Sequence, residues 1–341
     1  MIVRVDKVAS STATLRLSKD LEISDRVEVK AGNVIVVKAL QEKSVYDTLE
    51  LDTGRMAHIS REDVIAGVLG RRRALKGFVG DLPGTIAVGD RLQILNLGGV
   101  IGVCVSGHKD FGSPLQVEVL GMAVRDGKPL NIAEGAIPPR KSLAGIPDFP
   151  PLVLVEGTCM AAGKTQAACV IVQQLNQRGW RCAAMKATGV ACMRDLLNMI
   201  DHGARDGLSF QDAGLPSTVD TEDLPSVAKG LLAALAAKKP DVIVVELGDG
   251  IIGGYGVEAL LRDPEIVKAA RVHVMCANDL VAAWGAVSVM KGMGLRIDVF
   301  AGPSTDNAVG VEYIQRELKV PAANARTDGT RLADLVEGLL G

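Results

Sequence analysis

Aromatic residues are scarce in this chain of 341, which has two tryptophans, three tyrosines and five phenylalanines. A core of that composition has to be assembled from small and branched side chains. Histidine is as rare, with four, and none of the six cysteines stands in a C-x-x-C pair. Zinc ligation therefore has no pattern to rest on. Isolated cysteines of this kind suit a reduced, cytoplasmic protein. Long apolar runs are missing too, since nothing approaches the roughly 20 residues that cross a bilayer. The start, "MIVRVDKVASSTATLRLS", alternates instead of joining a basic region to an apolar one. No membrane partner is expected. An excess of one charge is also absent. The formal net charge of -2 gathers no nucleic acid, and the "RRR" of Arg71–Arg73 is short and isolated.

What is present falls into two halves of different rhythm. Residues 1–145 read as a mainly β domain. "TATLRLS", "RVEVK", "NVIVVKAL" and "QVEVLGMAV" are rich in β-branched residues, several in period-two alternation. Short apolar runs broken by Gly and Asp point to a small barrel or sandwich. One helix is expected at "SREDVIAGVLG", where Ser60 would cap and Asp63 would sit at the third helical position. The joint is "AEGAIPPRKSLAGIPDFPP", whose five prolines and two glycines cannot sustain a regular element.

Residues 146–341 read as an α/β domain. "PLVLVEG", "CAAMKATG", "DVIVVELGDG", "RVHVMCAND" and "LRIDVFAGP" are apolar strand runs with helical stretches between them. That alternation predicts a parallel sheet covered by helices on both faces, with ligands beyond the strands' carboxyl ends. The first strand is followed by "GTCMAAGKT" and then a helix from Lys164 to about Arg178. The usual phosphate loop is G-x-x-x-x-G-K-[ST], whereas Gly157 and Gly163 are separated by five residues. An extra residue widens such a loop without abolishing it. Backbone N–H groups of Ala161, Ala162, Gly163, Lys164 and Thr165 can cradle phosphate at the helix start. Lys164 would reach the β- and γ-phosphates of ATP, and Thr165 would ligate Mg²⁺. Gly157 and Thr158 open the loop.

Further residues are singled out by position. Lys186 and Glu246 each end a buried strand, where charge is unusual. Lys186 is assigned with Lys164 to neutralise phosphate charge, and Glu246 to hold the metal. Asp220, between Val219 and Thr221 in the acidic segment "FQDAGLPSTVDTED", is a further metal ligand candidate, with a solvated loop as the competing reading. Asp249 is a second acid of the "ELGDG" strand end. Asn278 in "CAND" could bond an adenine edge, with "AGPSTDN" at 301–307 beside it. Arg194 and Asp195 fit either a charged substrate or a solvated helix start.

The loop resembles that of dethiobiotin synthetase and its relatives, which also places five residues between the glycines. The resemblance extends to "CAAMKATG", where Lys186 matches a lysine that contacts phosphate and substrate, and to "VVELGDGIIGG", where Glu246 matches a metal-binding glutamate. Cys159 stands where that family usually has aspartate. The chain is also similar to a less characterised family that adds an N-terminal domain and has members in amino-acid metabolism. These resemblances imply an ATP-dependent ligase that phosphorylates a carboxylate or carbamate of a small-molecule substrate before an amine attacks it. A small-molecule kinase or acyl-transfer enzyme is one alternative, and a nucleotide-dependent switch or chaperone is another. A homodimer is expected, partly from the same resemblance and partly from the methionine-bearing segments "ACMRDLLNMI" and "WGAVSVMKGMG".

Overall fold

The computed structural model describes residues 1–341. Cα packing divides them into two units. One comprises Met1–Ile137, Val190–Arg194 and Phe210–Val219, and the other holds the remainder. A single cut at residue 145 therefore misses two short segments that leave the second half and join the first unit. Composition marks linkers but not such excursions. What takes these segments away is burial, since Ala191 and Phe210 lie in the apolar core that holds Val34, Val68 and Phe78.

The first unit is built on an eleven-stranded sheet. Five of its strands close a ring: Val34–Ala39, Val64–Leu69, Val100–Gly107, Arg91–Ile94 and Leu115–Arg125, which pairs back to the first. The barrel form of the expectation is the one realised. Inward side chains such as Ile35, Val37, Ile65, Leu92, Ile101 and Val117 fill it, with scarcely an aromatic among them. The helix expected after Ser60 does not form. Asp63 accepts a hydrogen bond from the Ser60 N–H at 2.5 Å, but the chain turns there and Val64–Leu69 runs on as a strand. Its β-branched residues pair in register with Val34–Lys38, and that ladder overrides the local capping signal.

The second unit carries a six-stranded, wholly parallel sheet. Its strands are β1 (Leu152–Gly157), β2 (Cys182–Thr188), β3 (Asp206–Ser209), β4 (Val242–Leu247), β5 (Ala270–Cys276) and β6 (Val299–Ala301). Their order across the sheet is β3-β2-β4-β1-β5-β6. The helices are α1 (Lys164–Gln177), α2 (Arg194–Asp201), α3 (Leu224–Ala236), α4 (Val257–Leu261), α5 (Pro264–Ala269), α6 (Leu280–Gly292), α7 (Ala308–Tyr313) and α8 (Gly329–Leu340). The doubly covered α/β sheet expected from the alternation is present. β1, β2 and β4 are buried along their whole length, as their continuous apolar runs require. No helix is long and apolar enough to cross a membrane. All six cysteines are free, and burial pushes the thiols of Cys169, Cys182 and Cys276 up to about 12.

Candidate functional site

β1 ends at Gly157 and α1 begins at Lys164, with Gly163 as its N-cap, so residues 158–163 form the turn between strand and helix. Two backbone requirements shape it. Gly163 sits at φ 90° and Ala161 at φ 59°, a left-handed conformation that an alanine adopts only under constraint. At Gly157 the reason for glycine is space. A Cβ there would come within 2.9 Å of the Lys164 side chain, which folds back over the loop. The base of the loop is pinned on both sides: Thr158 N–H donates to Cys276 O at 2.9 Å, and Ile251 N–H to Gly157 O at 2.8 Å. The extra residue is thus accommodated within a strand–loop–helix unit whose helix N-terminus carries the unpaired N–H groups of a first turn.

Lys164 is 6% exposed and donates from Nζ to Cys159 O, 2.7 Å away. Burial lowers its pKa from the ordinary lysine value. Glu246 works against that shift and Lys186 adds to it. Asp249 also acts on this ammonium, which places it in the same electrostatic neighbourhood. The register of β2 against β4 sets Lys186 directly opposite Glu246. Lys186 Nζ donates to Glu246 Oε1 at 2.6 Å and to Asp195 Oδ2 at 2.7 Å. Burial disfavours its charge, but Asp195 and Glu246 outweigh that cost and raise its pKa. Thr165 Oγ1 donates to the same Glu246 oxygen at 3.0 Å. One buried carboxylate therefore ties together the start of α1, the end of β2 and, through Lys186, the start of α2.

Lys164, Thr165, Lys186 and Glu246, named from the sequence, are brought together. The acid that completes the group is Asp195, which the sequence left undecided between a ligand contact and a solvated helix start. Asp220 is exposed at φ 55° in the turn ahead of α3. Asn278 is near the loop, with its Nδ2 donating to Cys159 Sγ at 2.9 Å. Its amide thus props the loop. The loop at 301–307 does flank the site. Gly302, Pro303 and Asp306 share a small cleft with Ala161, Gly163 and Gln166, closed by Asn324 and Arg326. Asn324 was not singled out by sequence. It joins two loops, donating from Nδ2 to Asp306 Oδ1 at 2.7 Å and accepting at Oδ1 from the Arg326 and Thr327 N–H groups.

Two buried oxygens here have no hydrogen-bond partner, Glu246 Oε2 and Thr158 Oγ1. Orphaned polar atoms in a buried site ask for a ligand. No cluster of three His, Cys, Asp or Glu side chains exists to cage a metal. Thr165 and Glu246 are instead the kind of sparse donor set that shares Mg²⁺ with phosphate oxygens and water. The residues present fit such an ion.

No family model and no curated protein sequence matches the chain. Solved structures do. Chloroplast FtsY from Physcomitrella patens aligns over 60% of this chain and 70% of its own, at 13% identity and a TM-score of 0.40. Signal recognition particle 54 kDa protein from Aeropyrum pernix, in complex with GDP, aligns over 57% and 49%, at 19% identity and 0.36. A DUF1611 family protein from Anabaena variabilis aligns over 64% and 65%, at 13% identity and 0.43. The second unit's own geometry, a parallel sheet between helices with a glycine loop joining β1 to α1, is the arrangement expected of a P-loop fold. The narrower likeness to dethiobiotin synthetase is not shown by these comparisons and rests on the sequence motifs around residues 157–165, Lys186 and Glu246. The ATP-dependent ligase is corrected by these comparisons. Their printed names are those of signal recognition particle and receptor proteins and a DUF1611 protein, and none of the three is named as a ligase.

Proposed function

We propose that the protein binds a nucleoside triphosphate with Mg²⁺ at residues 157–165 and works as a nucleotide-dependent switch. The observation that carries this reading is the shared carboxylate of Glu246, bonded to both Thr165 and Lys186, with Lys186 bonded onward to Asp195. Phosphate oxygens compete with Cys159 O for Lys164 and with the two acids for Lys186. A cation at Thr165 and Glu246 competes for the same carboxylate. Each of those exchanges alters the tether of α2, so the presence of the terminal phosphate is transmitted to a helix. Lys164 and Lys186 also supply the fixed positive charge that lowers the barrier to phosphoryl cleavage. We assign the base to the side of the cleft of Gly302, Asp306 and Asn324, and titration with adenine and guanine nucleotides tells which base is taken.

The test is amide hydrogen exchange of the full chain with Mg²⁺ and a non-hydrolysable triphosphate, compared with the diphosphate. Exchange in 194–201 should differ between the two, with slow basal hydrolysis. Identical exchange in both states, with binding intact, would sink the switch while leaving nucleotide binding standing.

We further propose a homodimer through α6, which is apolar except for Ser288 and Lys291 yet buries only Ala283, Ala286 and Met290. Val281 is 82% exposed and Trp284 49%, and large exposed apolar faces mark interaction surfaces. Trp284→Glu should convert a dimer to a monomer in light scattering. A wild-type chain that is monomeric throughout the micromolar range overturns it.

A further inference from the structure

At the end of the β-sheet where the strands begin, remote from the phosphate loop, lies a cavity of about 520 Å³. Its walls come from the proline-rich segment, from α5 and from the first residues of β5: Leu143, Phe149 and Pro150 on one side, Glu265, Lys268 and Arg271 on the other. β1 starts at Leu152, directly after this segment, and reaches the phosphate loop six residues on. At ~3.3 Å per residue the two sites are separated by about 20 Å. The cavity is therefore separate from the nucleotide site.

We propose that it is a second ligand site, for a small organic carboxylate with an aromatic or branched apolar body. Its volume falls in the range of small-molecule sites, about 300–1,000 Å³, which combine apolar walls with a few polar groups. Phe149, Pro150 and Leu143 supply the apolar wall. The charge pattern supplies the sign. Glu265, the one acid of the lining, is already engaged: it accepts from Ser142 Oγ at 2.5 Å and from Leu143 N–H at 3.3 Å, and pairs with Lys229 at 2.9 Å. Lys229 is shared with Asp263 at 2.7 Å. Lys268 and Arg271 form no ion pair. Lys268 and Arg271 are thus the lining cations without an acid partner. A carboxylate ligand pairs with them, and an arginine beside an apolar wall presents the planar fork that a carboxylate fits.

The experiment uses the full chain and 3-phenylpropanoate as probe, with neutral 3-phenylpropanamide and inorganic phosphate beside it, read by calorimetry and saturation-transfer NMR. The carboxylate should bind saturably at one site per chain. The amide should bind about tenfold more weakly, the equivalent of one charge-assisted hydrogen bond, and phosphate should not bind. Arg271→Ala should erase the preference for acid over amide, and Phe149→Ala should weaken both. A saturating triphosphate should leave the isotherm in place. Equal binding of acid and amide, failure to saturate at millimolar probe, or displacement by the nucleotide overturns the proposal.

Discussion

Lys186 carries its charge in the interior only because two acids meet it, and its pKa is raised for that reason. Lys164 has no carboxylate hydrogen-bonded to it, and burial lowers its pKa. The two lysines should therefore respond differently to removal. Lys164→Ala keeps the fold and loses nucleotide affinity. Lys186→Ala leaves Glu246 buried with its charge uncompensated, which costs about 3–5 kcal/mol of stability. Fluorescent-nucleotide titration and urea unfolding of both variants check this, and equal stabilities would count against the Lys186 assignment. A second buried pair lies beneath the loop. His273 Nδ1 is 2.7 Å from Glu156 Oε1, with both side chains almost fully enclosed. Burial raises the Glu156 pKa against the pull of His273. For His273 burial works downward, but the bond to Glu156 wins and raises it. With both raised, the folded chain holds protons that the unfolded chain has released, so the pair's contribution is greatest at low pH and is lost as pH rises through the folded values. The stability of wild type relative to Glu156→Leu/His273→Leu should therefore fall as pH rises past the ordinary histidine value of about 6.5. A rising difference in urea unfolding contradicts it. Lys164 and Thr165 were legible because loop chemistry is local. Asp195 and Asn324 were not, because each acquires its role from residues distant in sequence, brought near by the sheet.

At the level of elements, α8 is held to α1 by a polar clasp over an apolar seam. Arg178 bonds Glu337 at 2.6 Å and Asp334 at 2.8 Å, and Trp180 Nε1 donates to Glu337 Oε1 at 2.9 Å. Arg178 first, then Trp180, lower the Glu337 pKa. Its contribution is therefore present above the ordinary carboxylate range and is lost as pH falls through the lowered folded value. The groups are partly exposed, so solvent screening keeps Glu337→Gln to about 1 kcal/mol or less. That loss should shrink as pH falls below the ordinary glutamate value of about 4.3. Thermal melts of the two proteins at neutral and acid pH test it, and a gap that persists in acid removes the charge from the account. The strands of the second unit were legible because parallel buried strands are nearly all apolar. β3 was missed because "DGLS" has neither apolar run nor alternation, and its place comes from pairing with β2. The helix after Ser60 failed for the same kind of reason: a local capping signal yielded to ladder pairing.

Over the whole molecule, the core of the first unit depends on Phe210, which is 1% exposed and more than seventy residues downstream of Ile137. Removing such a side chain costs about 3–5 kcal/mol. A fragment of residues 1–137 lacks both Ala191 and Phe210. It should bind a hydrophobic dye and unfold without cooperativity, whereas the full chain shows a sharp transition by circular dichroism. Cooperative unfolding of the fragment would show that the returning segments are dispensable. The same arrangement bears on inheritance. A domain encoded in one continuous stretch can be exchanged between genes by a single crossover. Here the first unit is written in three stretches interleaved with the second, so any crossover after residue 137 and before residue 219 separates parts of one core. Such a gene is shuffled successfully only outside that interval, and the two halves are passed on as a single heritable piece.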